Sequence, residues 1–332
     1  MIKSLLSAAA LSTMLVSAAF AADGKGPAIV FDIGGKFDKS FNESMFNGAE
    51  KFKKETGTAY GEFEIANEAQ REQAIRNFAD KGYSPIVAAG FAQADAVTKV
   101  AKDFPNTKFA IVDMVVDLPN VSSIVFKEQE GSYLVGMMAA KASKSGSVGF
   151  VGGMDIPLIR RFACGYVQGV KAVNKDAKVA QNMVGDTGAA WNDPVKAGEI
   201  TKGQMAKGAD VVYAAAGGSG LGVLQAMSDA KKLSIGVDAN QNYLHPGSVL
   251  TSMVKHVDVA VYNTMKGGDA GFKPGIQALG LKEGGVDYAM DDNNKSLVND
   301  DMKKAVEAAK ADIIGGKIQV ADYMATNKCP VE

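Results

Sequence analysis

Cysteine and histidine are nearly missing from this chain. Each occurs twice among 332 residues, as Cys164 and Cys329 and as His245 and His256. These spacings fit no zinc or thiol-redox motif and give poor support to a Ser/His/Asp triad. No G-x-S-x-G elbow and no Gly-Lys-Ser or Gly-Lys-Thr phosphate loop occurs. An excess of charge is lacking too. The 36 Lys and Arg against 37 Asp and Glu leave a formal net charge of −1, without the basic field that nucleic acid or an anionic membrane surface would recruit. Beyond the amino-terminal segment, no apolar run approaches the roughly 20 residues needed to span a bilayer.

That amino-terminal segment is the one long apolar run. Met1-Ile2-Lys3 is a short basic start, Leu5 to Phe20 is rich in Ala and Leu, and Ala19-Phe20-Ala21 places small residues where a signal peptidase reads them. Residues 1–22 therefore read as a secretory signal peptide rather than a membrane anchor. No Cys follows the run, so a lipid-modified amino terminus is not expected, and the mature chain reads as soluble and exported. In an oxidising compartment Cys164 and Cys329 have the option to pair. The sequence supplies no distance between them, so a disulfide and two separate thiols both stay open.

The remainder, with 47% hydrophobic residues overall, holds enough apolar material for two domains. Short apolar runs alternate with helical patterns. Ala28-Ile29-Val30-Phe31 reads as a buried strand, and Ser40 with Glu43 reads as a capping box opening a helix. Pro85 to Gly90, Lys108 to Asp113 and Val121 to Phe126 read as further strands. The plan restarts at Ser147 to Gly153, Lys178 to Val184, Val211 to Ala216 and Ser234 to Asp238, with helices between them, and Val249 to Val254 reads as another strand followed by a helix. Such alternation predicts an α/β protein of two doubly wound lobes with parallel strands. No flexible linker divides them, so the chain is expected to cross near Lys127–Glu130 and again near Thr251–Lys255. The expected lobes are 23–127 with 255–270, and 128–254 with 271–332.

In open parallel sheets the ligand lies beyond the carboxyl ends of the strands. Asp32, Asp113 and Asp238 each sit at such an end, and Gly217-Gly218-Ser219 follows a fourth strand. An Asp at a strand end often only caps the next helix; four polar features at equivalent places point to a site. Gly217 to Gly222 is not the G-x-G-x-x-G of a dinucleotide fold, and reads as a tight turn whose amides face a ligand. Phe41 and Trp191, the only Trp, stand in loops beside these ends. A loop aromatic is often a lid on the local core, but aromatic faces beside carboxylates suit a flat polar ligand.

Longer motifs carry a resemblance. Asp32-Ile33-Gly34-Gly35-Lys36-Phe37-Asp38-Lys39-Ser40-Phe41-Asn42 is similar to the opening motif of the basic membrane protein family, solute-binding proteins of ABC importers that include purine nucleoside receptors. Glu130 to Gly136, Ala214 to Gly220, Gly236-Val237-Asp238 with Gln241, and Thr251 to Lys255 extend the match over the whole mature chain. The resemblance implies a type I periplasmic-binding fold with a multi-strand hinge, no cofactor, and a nucleoside in the cleft. It implies that Phe41 and Trp191 sandwich the base, that Asp113 meets the base edge, that Asp32, Asp238 and Lys255 hold the ribose, and that Gly217 approaches through its backbone. It implies an inner-membrane permease as partner and a free periplasmic location. Asn240 stands where many members carry Asp, and relatives take bases or flavin-like ligands.

A periplasmic nucleoside-processing enzyme is the rival reading. A nucleoside hydrolase would gather its aspartates around one calcium ion, whereas these end separate strands of two blocks with Lys255 among them. An exported sensory or structural protein is the third.

Overall fold

The computed structural model describes residues 25–331; the expected signal peptide lies outside them. The first block runs β1 (Ala28–Phe31), α1 (Phe41–Thr56), β2 (Gly61–Glu64), α2 (Gln70–Asp80), β3 (Ile86–Ala88), α3 (Ala94–Asp103), β4 (Phe109–Val112) and β5 (Val121–Phe126). The second runs α4 (Glu128–Ala142), β6 (Ser147–Met154), α5 (Pro157–Val173), β7 (Lys178–Gly185), α6 (Pro194–Ala206), β8 (Val211–Ala215), α7 (Gly220–Asp229), β9 (Leu233–Asp238) and β10 (Val249–Lys255). Then follow α8 (Val257–Gly267), β11 (Gly275–Leu279), β12 (Val286–Tyr288), α9 (Asp300–Ile314) and the short α10 (Tyr323–Thr326).

Two six-stranded sheets result, ordered β11-β5-β4-β3-β1-β2 and β12-β10-β9-β8-β6-β7. All pairs are parallel except β10 with β12. Strands β1, β3, β4 and β8 are buried at every residue, as parallel strands covered by helices on both faces must be, which is why they read as unbroken apolar runs. Each order reverses beside its first strand, so each lobe has a switch point where a crevice opens. The longest seam of the second lobe joins α4 to α5. A Cβ on Gly136, Gly165 or Gly169 would stand 2.3, 2.4 or 2.0 Å from a facing backbone oxygen, so only glycine lets these helices approach.

Two features depart from the sequence expectation. The first lobe continues past residue 270, because β11 pairs with β5 from Gly275↔Ser122 to Leu279↔Phe126. The chain therefore crosses three times, the third between Leu279 and Val286. β11 is a largely exposed edge strand and carries no apolar run to announce it. The crossings are bonded side by side: Lys127 N–H donates to Leu279 O (3.0 Å) and His256 N–H to Gly285 O (2.8 Å), while Leu281 N–H donates to Glu130 Oε2 (2.8 Å). The second departure is at α1, where Ser40 does not cap. The Asp38 carboxylate accepts the N–H groups of Ser40, Asn42 and Glu43 at 2.8, 3.0 and 3.1 Å, and the Ser40 hydroxyl is free for another partner.

Cys164 and Cys329 are joined as a disulfide, with Cα atoms 5.5 Å apart. It ties the carboxyl-terminal segment to α5, helped by Arg161, which donates to both Asp322 oxygens at 2.8 and 2.9 Å.

Candidate functional site

The carboxyl ends of both sheets face one cavity between the lobes. Asp32 follows β1, Asp113 follows β4, Asp238 ends β9 and Lys255 ends β10. Gly217 opens the turn after β8, Phe41 is the first residue of α1, and Trp191 closes a 3-10 turn after β7. All seven line this cavity. Asp113 and Asp238 leave their strands through left-handed backbone, φ +71° and +63°, a conformation that Asp tolerates better than most residues.

Lys255 is the electrostatic centre, and it is 1% exposed. Its Nζ donates to Asp113 Oδ1 and Oδ2 at 2.6 and 2.7 Å and lies 3.0 Å from Glu128 Oε1. The rings of Phe126, Phe41 and Phe162 surround it with centroids 5.1, 5.4 and 5.6 Å away, a cage that favours the cation. Burial alone would discharge the amine; Asp113, Glu128 and Asp238 outweigh it and raise its pKa. Glu128 also accepts from Arg161 Nη1 at 2.9 Å. A buried ion chain thus runs from the cavity through two of the three hinge crossings to α5 and the disulfide-tied tail.

The other carboxylates lean toward protonation. Burial pushes Asp113 up to about 6, against the pull of Lys255. Asp238 rises to about 6 for the same reason, with one oxygen accepting the Ser40 hydroxyl across the cleft at 2.5 Å. Asp38 also rises to about 6 through burial, in spite of its three backbone donors. Burial raises Asp32 too, although Arg71 Nη2 donates to it at 3.1 Å.

The apolar walls come from both lobes. Trp191 lies flat over Gly153, where a Cβ would stand 2.3 Å from its ring. Phe91 meets Trp191 edge-on at 6.5 Å. Phe91, Asp38, Asn42, Leu158, Ile159 and Phe162 join the lining without having been singled out from sequence. Phe91 directly follows the strand-ending Gly90, so the strand-end rule applied there would have found it. The three α5 residues read as ordinary core and give no such signal. Among the described residues no group of His, Cys, Asp or Glu is placed to hold a metal, and no helix is long and apolar enough to cross a membrane.

Chemically, the cavity offers acceptors, flat apolar faces and one cation already held by two carboxylates. It suits a neutral or cationic planar molecule rich in N–H and O–H donors. A phosphate would meet several carboxylates and no free cation among the lining residues.

Comparison with known proteins agrees in extent and type. The family profile described as ABC transporter substrate-binding protein PnrA-like matches residues 26–322. The "ABC transporter nucleoside-binding protein BmpA" of Lactococcus lactis is 37% identical over 320 residues, covering 88% of each chain. "Basic membrane protein D" of Borreliella burgdorferi is 33% identical over 322 residues, covering 92% of each. Among solved structures, an ABC transporter solute-binding protein of Aeropyrum pernix superposes with a TM-score of 0.82 at 29% identity, covering 89% of this chain and 93% of that one.

Proposed function

From the premise that the chain belongs to the PnrA-like family of ABC transporter substrate-binding proteins, we propose that it binds a purine nucleoside between its lobes. It delivers the nucleoside unaltered from the periplasm to a membrane permease. The observation that carries this reading is the convergence of Asp32, Asp113, Asp238, Lys255, Phe41, Trp191 and Gly217, from two sheets, on one cavity. Phe41 and Trp191 hold the base between them. Asp113 accepts from the base edge. Asp32 and Asp238 accept from the ribose hydroxyls, Lys255 completes that end, and the Gly217 backbone closes on the ligand. The relative from Lactococcus lactis, named as nucleoside-binding, supports the ligand class. The carboxylate excess supports nucleoside over nucleotide. Receptor chemistry is favoured over hydrolysis because the aspartates end different strands in two lobes.

Calorimetry of purified protein against adenosine, guanosine, inosine and their free bases tests it. At least one nucleoside should bind and be recovered intact. Absence of heat with every one of them would sink the purine reading, and release of free base would make the protein an enzyme.

Binding should also weaken in acid. Asp113 and Asp238 must be ionised to accept from ligand, and both carry pKa values raised to about 6. Affinity should fall about tenfold per group between about pH 7.5 and about pH 5. The stability of the ligand-free protein should not fall for the same reason. A carboxyl whose folded pKa is raised contributes stability that is fully present below its unfolded pKa and is lost as pH rises through its folded pKa. Titrations paired with thermal melts at each pH separate the two; a flat affinity profile would show that neither carboxylate meets the ligand.

A further inference from the structure

Gln241 lies outside the cavity lining, yet it is 1% exposed and both ends of its carboxamide are engaged. Its Oε1 accepts the Val237 backbone N–H at 2.9 Å, inside the second lobe. Its Nε2 donates to the Lys39 backbone carbonyl at 2.9 Å, in the first lobe. These partners fix which way the amide points, since an N–H needs the oxygen and a carbonyl needs the nitrogen. The seat is built for it. The Gln241 backbone N–H donates to Ser252 Oγ at 2.9 Å, and a Cβ on Gly236 would stand 2.5 Å from Gln241 Oε1. The second lobe thus holds the residue rigidly and leaves one donor reaching across the cleft.

Lys39 has φ +61° and lies in the turn just before Phe41, so the carbonyl it offers belongs to the loop that brings Phe41 to the cavity. The neighbouring cross-cleft bond, Ser40 to Asp238, is made to a carboxylate that lines the cavity, so changing that carboxylate alters the cavity as well. The Gln241 bond uses no side chain of the lining.

From this placement we infer that Gln241 is the latch of the closed cleft: a positioning residue, in contact with no ligand atom, that sets how fast a bound nucleoside leaves. The inference takes its ligand from the function proposed above and its geometry from the fold alone. A bond made only in the closed form stabilises that form whatever the cavity holds, so losing it should speed the release of every ligand by a similar factor.

Gln241→Glu keeps an oxygen for Val237 but presents a carboxylate to the Lys39 carbonyl at about pH 8, where it is ionised. Gln241→Met removes both bonds without adding charge, and carries the test should the glutamate variant fail to fold. In stopped-flow displacement, release should be about tenfold faster, the factor given by one hydrogen bond of ordinary net strength. Adenosine and adenine should be affected alike, with association little changed. Small-angle scattering without ligand should show a larger radius of gyration than the wild type. Unchanged release and unchanged radius in a folded variant would overturn the latch, and an effect on adenosine alone would make Gln241 a sugar contact instead. If the wild type binds no nucleoside or base, the proposed function fails on its own, and the scattering comparison still decides the latch.

Discussion

Lys255→Met is expected to abolish nucleoside binding and to lower the unfolding free energy by about 3–5 kcal/mol, the range for breaking a buried ion pair from one side. Among the described residues the amine is the only cation paired with Asp113, and it stands beside a fully buried Glu128. Without it, two carboxylates remain in apolar surroundings; Glu128 keeps Arg161 and Asp113 keeps no cation. Either both stay charged at high cost or Asp113 takes a proton and stops accepting from ligand. Pairing the change with Asp113→Asn should restore part of the stability and none of the binding, because the uncompensated charge is gone while the site is still dismantled. Denaturant melts of the single and double variants read this directly. A Lys255→Met protein that melts like the wild type would mean that the ion chain contributes nothing to folding.

Asp238→Asn should weaken adenosine by about 10- to 100-fold, the factor carried by a charge-assisted hydrogen bond of about 1.5–3 kcal/mol, and should change adenine far less. Asparagine keeps the size and one acceptor, so the cavity keeps its shape. Part of the loss arises through Ser40, whose hydroxyl meets this carboxylate across the cleft; that part burdens nucleoside and base equally. The ratio of the two affinities therefore isolates the sugar contact. Ser40→Ala supplies the control, since it should lower both together. Equal losses for adenosine and adenine in Asp238→Asn would place the carboxylate away from the ribose.

The alternation of strands and helices was legible because parallel strands buried on both faces must be apolar throughout, as β1 and β4 are. The strand-end residues were legible for a topological reason: a switch-point crevice collects whatever follows the strands. That rule names Asp32, Asp113 and Gly217 without knowledge of their distances, and the cavity brings them together. Other features hide because their signal belongs to something else. Phe162 looks like any apolar residue on a core-facing helix, and nothing local shows that it also faces Lys255. Ser40 looks like a helix cap, but Asp38, two residues earlier, takes the amides first. The exposed β11 gains its place from pairing alone. Spacing cannot bring Cys164 to Cys329; only the return of the tail along α5 does.

The three crossings also determine how this molecule can be made. No contiguous stretch of the chain is a lobe. The first sheet is incomplete until β11 has been synthesised, and the second waits for β12 and, through its disulfide, for Cys329. A truncation at residue 267 would strip an outer strand from both sheets at once, and either lobe can be produced alone only by splicing its separate segments. Contacts between such distant segments form late. Both halves therefore reach their final form together, near the end of translation.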